Sequence, residues 1–247
     1  LLPQVLAAQA GWRDAPRLNY WRIVRIAIPE PLRRQGAGQA MVQRLFNRAQ
    51  QAGIDILGTS FGATADLLPF WYSQSMLPLR LGLKRDASSG CVSLIYGCAC
   101  SAAGRALLDP VFQRFGRNLS RQLQGANADL EADIVRLLLQ QSRDVLSDPV
   151  DMQDIQDLYA FGLGQRGIEQ AEPALYRWSL QQLSDPAVTL DLLLERVLIH
   201  RYILRRDWSE IVALLSLTGA RQAERWLRDA LKPLLTHYSE SRGLSAD

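Results

Sequence analysis

Hydrophobic and polar positions follow two different rhythms along the chain, and the change falls near residue 101. Before it, short apolar runs rich in β-branched residues predict strands over 21–28, 54–61, 77–84 and 92–98. Apolar residues at helical spacing predict helices over 36–51 and 64–75. The order β-α-β-α-β-β is typical of a mixed α/β layer.

Strand signals disappear after residue 101, and apolar positions then recur at helical spacing. This part predicts helices over 102–124, 128–146, 151–162, 173–183, 189–205, 208–217 and 220–239. We therefore expect two domains, an α/β domain over residues 1–100 and an all-α tail over residues 101–247. No uninterrupted apolar run reaches the roughly 18 residues that a membrane helix needs, so no membrane partner is predicted.

The basic residues are nearly all arginine, with 26 Arg against two Lys in a chain of net charge +3. Arginine suits bidentate contacts to phosphate, which favours an RNA or nucleotide partner. The alternative is codon usage in a GC-rich genome. Three cysteines without a signal peptide predict a reducing, cytoplasmic setting. Cys98 and Cys100 do not form a CxxC pair and have no histidine nearby in sequence, so no metal site is predicted.

One motif carries specific chemistry, namely R-x-x-G-x-G over residues 33–38, between the first predicted strand and the helix after it. Glycines allow close approach of the backbone to a ligand, and a helix N-terminus attracts anions such as pyrophosphate. The motif lacks the G-K-[ST] of a Walker A loop and the third glycine of a dinucleotide fold. An ordinary glycine-rich turn is the alternative.

The motif resembles the acetyl-CoA pyrophosphate loop of GNAT acetyltransferases. More narrowly, the chain resembles the bacterial tRNA(Met) cytidine acetyltransferase family. Four further blocks carry that resemblance in order: R-I-A-I (25–28), S-F-G-x-T (60–64), F-W (70–71) and A-S-S-G-C (87–91). The resemblance implies an α/β GNAT-like mixed sheet that is incomplete and holds the cofactor-binding half, followed by an all-α helical tail domain expected to bind tRNA.

The resemblance also implies a cofactor site for acetyl-CoA. Backbone groups of the first strand would contact the pantetheine arm and thioester, the loop would hold the pyrophosphate, and an acidic residue would lie nearby. Transferred to this sequence, the cofactor-binding residues are Ile26, Ala27, Ile28, Arg33, Arg34, Gln35, Gly36, Ala37, Gly38, Gln39, Asp66 and Ser73. Ser73 stands where relatives have a basic residue, and Pro29-Glu30 replaces the familiar His-Pro.

No residue stands out as the general base. Two residues are candidates for other catalytic roles. Asp66 would orient the substrate, with a helix cap as the alternative, and Tyr72 stands where some GNAT enzymes place a general acid for the leaving thiolate, with a packed aromatic as the alternative. Cys91 is expected to be structural, because direct acetyl transfer needs no acyl-cysteine. His200 and His237 both lie in the tail and are expected in the bundle and in a last helical turn.

Arginines recur at helical spacing in three clusters of the tail, around residues 114–121, 201–206 and 221–228. Such clusters track RNA phosphates or form solvated, salt-bridged faces. The RNA-binding candidates are Arg201, Arg205 and Arg206.

The resemblance implies N4-acetylation of the wobble cytidine of the elongator methionine tRNA. ATP and Mg²⁺ enter only through an upstream helicase-like module of the full-length enzyme, and this chain would be a C-terminal fragment. Two alternatives remain open: a GNAT enzyme that acts on a protein or small-molecule amine, and an inactive module that binds CoA or serves assembly.

Overall fold

The computed structural model describes residues 2–146 and 148–242, with only the backbone at Ser239. The chain divides into two compact units, one up to Leu119 and one from Ser120 onward. The first unit contains a four-stranded sheet, and the second is built from helices.

The sheet consists of β1 (Tyr20–Ile23), β2 (Ile56–Gly62), β3 (Leu77–Arg85) and β4 (Val92–Ala99) in the order β1-β2-β4-β3. β1 runs parallel to β2, whereas β4 is antiparallel to both of its neighbours. A parallel pair requires a crossover connection, which the helix between β1 and β2 supplies. The predicted mixed α/β layer with a helical tail is confirmed.

The helices of the first unit are α1 (Leu2–Ala8), α2 (Ala37–Gln51), α3 (Leu67–Tyr72) and the first part of α4 (Ala102–Leu123). Short 3-10 turns lie at Ala15–Arg17 and Glu30–Leu32. The sequence patterns gave no prediction for α1. Its leucines are buried with strand residues and with the start of α4 in one hydrophobic cluster, which contains Leu2, Leu6, Ala15, Ile56, Leu79, Ile95, Leu108 and Val111.

The N-terminus of α4 lies very close to the turn before β2. A Cβ at Gly104 would fall 2.0 Å from the carbonyl oxygen of Asp55, so only glycine fits there. Ser101 Oγ donates to Asp55 Oδ1 at 2.6 Å and accepts from the Gly104 N–H at 3.0 Å. These contacts fix α4 on the sheet, and the compact unit therefore extends beyond the last strand.

The first strand is shorter than the predicted span of 21–28. β1 ends at Ile23, and the Ile23 carbonyl accepts a hydrogen bond from Thr59 Oγ1 at 3.1 Å. The ladder to β2 stops at the Ile23–Thr59 pair, although β2 continues to Gly62. The two strands therefore diverge, a tertiary feature that the β-branched composition of 21–28 does not encode.

The second unit contains the end of α4, then α5 (Ala132–Gln141), α6 (Met152–Gly162), α7 (Ile168–Ser184), α8 (Leu192–Leu198), α9 (Trp208–Leu214) and α10 (Ala220–Glu240). Large side chains such as Trp178, Phe161 and Leu119 are almost completely buried. The span predicted as one helix over 189–205 is α8 followed by a π-helical turn, Ile199–Ile203.

Candidate functional site

The loop before α2 presents a row of backbone donors. Gly36 is the N-cap residue of α2 and has φ of 84°, in the left-handed region that favours glycine. The first helical hydrogen bond runs from the Ala40 N–H to the Gly36 carbonyl at 2.9 Å. The N–H groups of residues 37–39 therefore have no helix carbonyl to bind and remain available to an anion.

Gly38 allows α2 to approach α3 closely. A Cβ on Gly38 would lie 3.2 Å from the ring of Phe70. The Phe70 ring contacts Trp71 at 4.9 Å between centroids, and Trp71 in turn contacts Phe61 at 5.9 Å. Aromatic packing thus connects the loop before α2 to α3 and to the end of β2. The two glycines of the motif have different roles, one in backbone conformation and one in packing.

The polar side chains of the loop mostly stabilise the loop itself. Arg33 Nε donates to the Ile28 carbonyl at 3.1 Å, and Gln35 Nε2 donates to the Pro31 carbonyl at 2.7 Å. Arg34 has φ of 59° and an exposed side chain, and no ion partner for it occurs in the described part of the chain. Arg34 is therefore the cationic side chain of the loop that is free for a phosphate.

The segment that follows β1 fits an extended ligand. Ile26, Ala27 and Ile28 lie where β1 and β2 have diverged, so their backbone groups are not consumed by the ladder. Ile28 also lies close to the glycine motif, since its Cγ1 is 3.8 Å from the Cβ position of Gly38. A cradle of free N–H groups beside an opened pair of strands suits a ligand with a pyrophosphate and an amide-containing arm. The residues thus fit acetyl-CoA.

Asp66 and Ser73 lie at opposite ends of α3. Asp66 is the N-cap residue, but its carboxylate makes no capping hydrogen bond and is exposed. Ser73 is the C-cap residue, where its hydroxyl donates to the Phe70 carbonyl at 2.8 Å and accepts from Gln74 Nε2 at 2.8 Å. The structure does not support the capping interpretation of Asp66, and it places Ser73 in local hydrogen bonds.

Tyr72 ends α3 with 41% of its surface exposed. Tyr96 on β4 is fully buried and stacks edge-on against Phe61 at 5.2 Å. Burial raises the pKa of Tyr96, and the nearby Tyr72 raises this pKa further. Tyr96 is therefore a core residue beside Tyr72, and its place within a strand carried no signal of that proximity.

The A-S-S-G-C block forms the turn between β3 and β4. The Asp86 carboxylate accepts hydrogen bonds from the N–H and hydroxyl groups of Ser88 and Ser89, which lower the pKa of Asp86 to about 2. Gly90 completes the turn with φ of 68°. The Cys91 Cβ lies 2.9 Å from the Cβ position of Gly62, so Cys91 packs over the end of β2. The contacts that the structure shows for the block are local ones of the turn and of the end of β2, and the structural role of Cys91 stays a prediction.

The three RNA-binding candidates have different environments. Arg201 Nη2 donates to Glu172 Oε1 at 3.0 Å, and its guanidinium lies 5.1 Å from the Trp208 ring. Arg206 pairs with Glu210 at 3.4 Å. Arg205 is exposed, with φ of 55° and no ion partner among the described residues. Two of the three arginines therefore already stabilise the tail.

The histidines and cysteines form no reactive constellation in the part of the chain that the structure describes. His200 lies in the π-helical turn, where burial lowers its pKa and the nearby Arg206 lowers it further. His237 is exposed in the last turn of α10. Burial also raises the pKa of the Cys98 thiol to about 12.

The described residues contain neither a cluster suited to a metal ion nor a helix suited to a membrane. Over residues 2–146 and 148–242, no three His, Cys, Asp or Glu side chains are grouped to hold a metal ion. Within the same ranges, no helix combines the length and the apolar character that a membrane crossing requires.

Nearly the whole chain is similar to curated proteins named tRNA(Met) cytidine acetyltransferase. The protein from Nitrosococcus halophilus is 36% identical over 240 residues, which make up 96% of this chain and 32% of that relative. The protein from Vibrio cholerae is 33% identical, and that from Haloferax volcanii 28%, each over 239 residues with the same two coverages. The chain thus spans about a third of the length of these relatives. No family model matches it.

Proposed function

We propose that this chain, a homologue of part of the tRNA(Met) cytidine acetyltransferases, is the acetyl-CoA-binding part and helical tail of such an enzyme. In this proposal the enzyme N4-acetylates the wobble cytidine of the elongator methionine tRNA in the cytoplasm. ATP hydrolysis by a helicase-like module elsewhere in the full-length protein drives the reaction. The observation that carries the proposal is the backbone cradle at the start of α2, beside the divergence of β1 and β2.

The cofactor-binding residues divide by the part of acetyl-CoA that they hold. The N–H groups of residues 37–39 bind the pyrophosphate, which the positive end of α2 also attracts. Arg34 adds an exposed guanidinium. Ile26, Ala27 and Ile28 offer backbone groups to the pantetheine arm and orient the thioester. When bound, acetyl-CoA supplies an acetyl group activated as a thioester.

The chemical step forms a C–N bond to cytidine N4 as the C–S bond breaks. The amine loses one proton, and the departing thiolate takes up one. Polarisation of the thioester carbonyl by a backbone N–H and correct positioning of the amine contribute much of the rate. Asp66 is exposed and uses none of its oxygens for capping, which suits proton acceptance at the amine.

Tyr72 is suited to the second proton transfer, which delivers a proton to the departing thiolate. It lies six positions after Asp66, about 9 Å along a helix axis, so the two side chains start from opposite ends of α3. The exposed Tyr72 hydroxyl donates to the departing sulfur, while Asp66 acts on the amine. This assignment gives each candidate one role.

Label transfer tests the proposal. The whole protein that carries this chain is incubated with tritiated acetyl-CoA, ATP and elongator methionine tRNA, or with bulk protein and polyamines in place of the tRNA. We expect label in N4-acetylcytidine at the wobble position. Transfer to protein or small amines alone would indicate an ordinary GNAT enzyme, and binding of acetyl-CoA without any transfer would indicate an inactive module.

A further inference from the structure

Helix α4 carries an arginine stripe, defined as Arg114, Arg117 and Arg121. At 3.6 residues per turn, the three residues fall within about 60° of the helix circumference and span about 10 Å along its axis. The opposite face of the helix is apolar and buried, with Leu108, Val111, Phe115, Leu119 and Leu123. The stripe is therefore exposed because the helix is amphipathic.

The stripe has no compensating negative charge. Residues 110–128 contain no Asp or Glu, and no ion pair of the three arginines occurs in the described part of the chain. Arginines elsewhere in the tail do find carboxylates, such as Arg166 with Asp157 at 2.8 Å and Arg201 with Glu172 at 3.0 Å. Like charges at i, i+3 and i+4 destabilise a helix by a few tenths of a kcal/mol per pair. The fold tolerates this repulsion without an internal partner.

In the other two arginine clusters of the tail, several guanidinium groups already have partners. In the cluster around 201–206, Arg201 and Arg206 are held by acidic and aromatic neighbours. In the cluster around 221–228, Arg228 Nη1 donates to the Phe161 and Arg166 carbonyls at 2.6 and 3.1 Å. Its guanidinium also lies 4.2 Å from the Phe161 ring and pairs with Glu224. Both clusters thus contribute to the packing of the tail.

We propose that the arginine stripe of α4 binds the sugar-phosphate backbone of the RNA substrate. This inference rests on the proposed function, which supplies a tRNA as the polyanion. Guanidinium groups bind phosphate oxygens in a bidentate manner. A row of positive charges without neighbouring carboxylates can contact consecutive phosphates without repulsion. Because phosphate contacts carry no base information, the stripe positions the tRNA and does not select the cytidine.

The test compares two triple variants of the 247-residue chain that remove the same charge. One is R114Q/R117Q/R121Q, and the control is R13Q/R44Q/R48Q, whose arginines are also exposed and have no ion partner among the described residues. Filter binding measures affinity for elongator methionine tRNA over a range of salt concentrations. Thermal unfolding and acetyl-CoA calorimetry are measured on the same samples.

We expect the stripe variant to lose about tenfold or more in tRNA affinity at low salt, and its salt slope to fall by about 2–3. The control should keep both quantities. Unfolding midpoints should stay within about 2 °C of the parent, since the stripe arginines make no side-chain hydrogen bond or ion pair within the described residues. Acetyl-CoA affinity should not change, which separates failure of this inference from failure of the proposed function.

Three results would overturn the inference. The first is unchanged tRNA affinity and slope in the stripe variant, or no tRNA binding by the parent chain. The second is an equal loss in both variants, which would indicate a non-specific charge effect. The third concerns polyglutamate, a probe for an acidic protein partner whose binding is measured by calorimetry on the same samples: its loss from the stripe variant with tRNA binding retained would indicate such a partner.

Discussion

Gly36 has a left-handed backbone conformation and lies in the proposed pyrophosphate-binding loop. Its φ of 84° costs a residue with a Cβ about 1–2 kcal/mol. Gly53, at the end of α2, also has a positive φ, of 67°, and open space around its Cβ position. The same substitution at both positions therefore separates backbone strain from the loss of a binding site.

We predict that Gly36→Ala and Gly53→Ala each lower the free energy of unfolding by about 1–2 kcal/mol. Only Gly36→Ala should also weaken acetyl-CoA binding, by about tenfold or more, because rotation of the Gly36 peptide misdirects the N–H groups of the cradle. Urea unfolding and calorimetry measure the two effects. Equal acetyl-CoA affinity in both variants would contradict the assignment of the cradle.

Asp154 and Arg177 form a two-point ion pair in the second unit, with the Asp154 side chain 5% exposed and that of Arg177 31% exposed. Arg177 Nε and Nη2 donate to the two carboxylate oxygens of Asp154 at 2.7 and 2.6 Å. Asp154 also completes a capping box with Asp151 at the start of α6. The hydrogen bonds from Arg177 lower the pKa of Asp154 below its usual value. Stability from this group is therefore present above the unfolded-state pKa, about 3.9, and is lost as the pH falls through the lower folded-state value.

We predict that Arg177→Met lowers the free energy of unfolding at pH 7 by about 2–3 kcal/mol, because it leaves a buried carboxylate without its cation. The difference from the parent should shrink below about pH 4 as Asp154 is protonated. Arg143→Met is the control, since Arg143 pairs with Asp185 but is 52% exposed, and it should cost less than about 1 kcal/mol. Urea unfolding between pH 7 and pH 2 tests this, and a pH-independent difference would refute the argument.

At the scale of the elements, the spacing of apolar residues predicted whether a segment is a helix or a strand better than it predicted how long the element is. The strands near 77–84 and 92–98 and the helix near 36–51 are confirmed within about two residues, because their apolar faces are set locally. β1 is half its predicted length, since its end depends on divergence from β2. The π-helical turn at Ile199–Ile203 also depends on tertiary packing, and the apolar positions there read as ordinary helix.

At the site, the sequence predicted the loop but not the separate roles of its residues. Strand, R-x-x-G-x-G and helix occur in the predicted order because glycine and helix-start signals are local. The packing of Gly38 against Phe70 and the free carboxylate of Asp66 depend on where α3 lies relative to α2 and β2. Residue type alone also did not show which arginines are paired, because their carboxylate partners are distant in sequence.

On the scale of the whole molecule, the residues of the proposed cofactor site all belong to the first unit, while each unit has a buried core of its own. Ligand binding stabilises the part of the chain that it contacts, by about 2.7 kcal/mol at a hundredfold excess over Kd. We predict that acetyl-CoA slows amide hydrogen exchange in residues 24–40 and 60–73 and leaves α5 to α10 unchanged. Exchange mass spectrometry with and without acetyl-CoA, and with desulfo-CoA as a second ligand, measures this. Protection centred on the helices of the second unit would contradict the site assignment.

Because the proposed cradle at the start of α2 consists of backbone N–H groups, it determines which positions of the loop tolerate substitution. A cradle made of peptide groups is present whatever side chains line it, so positions 35, 37 and 39 can vary without loss of the donors. The two glycines are more constrained, Gly36 by its left-handed conformation and Gly38 because a Cβ would lie 3.2 Å from the Phe70 ring. We therefore expect the proposed cofactor binding to tolerate most single substitutions at positions 35, 37 and 39.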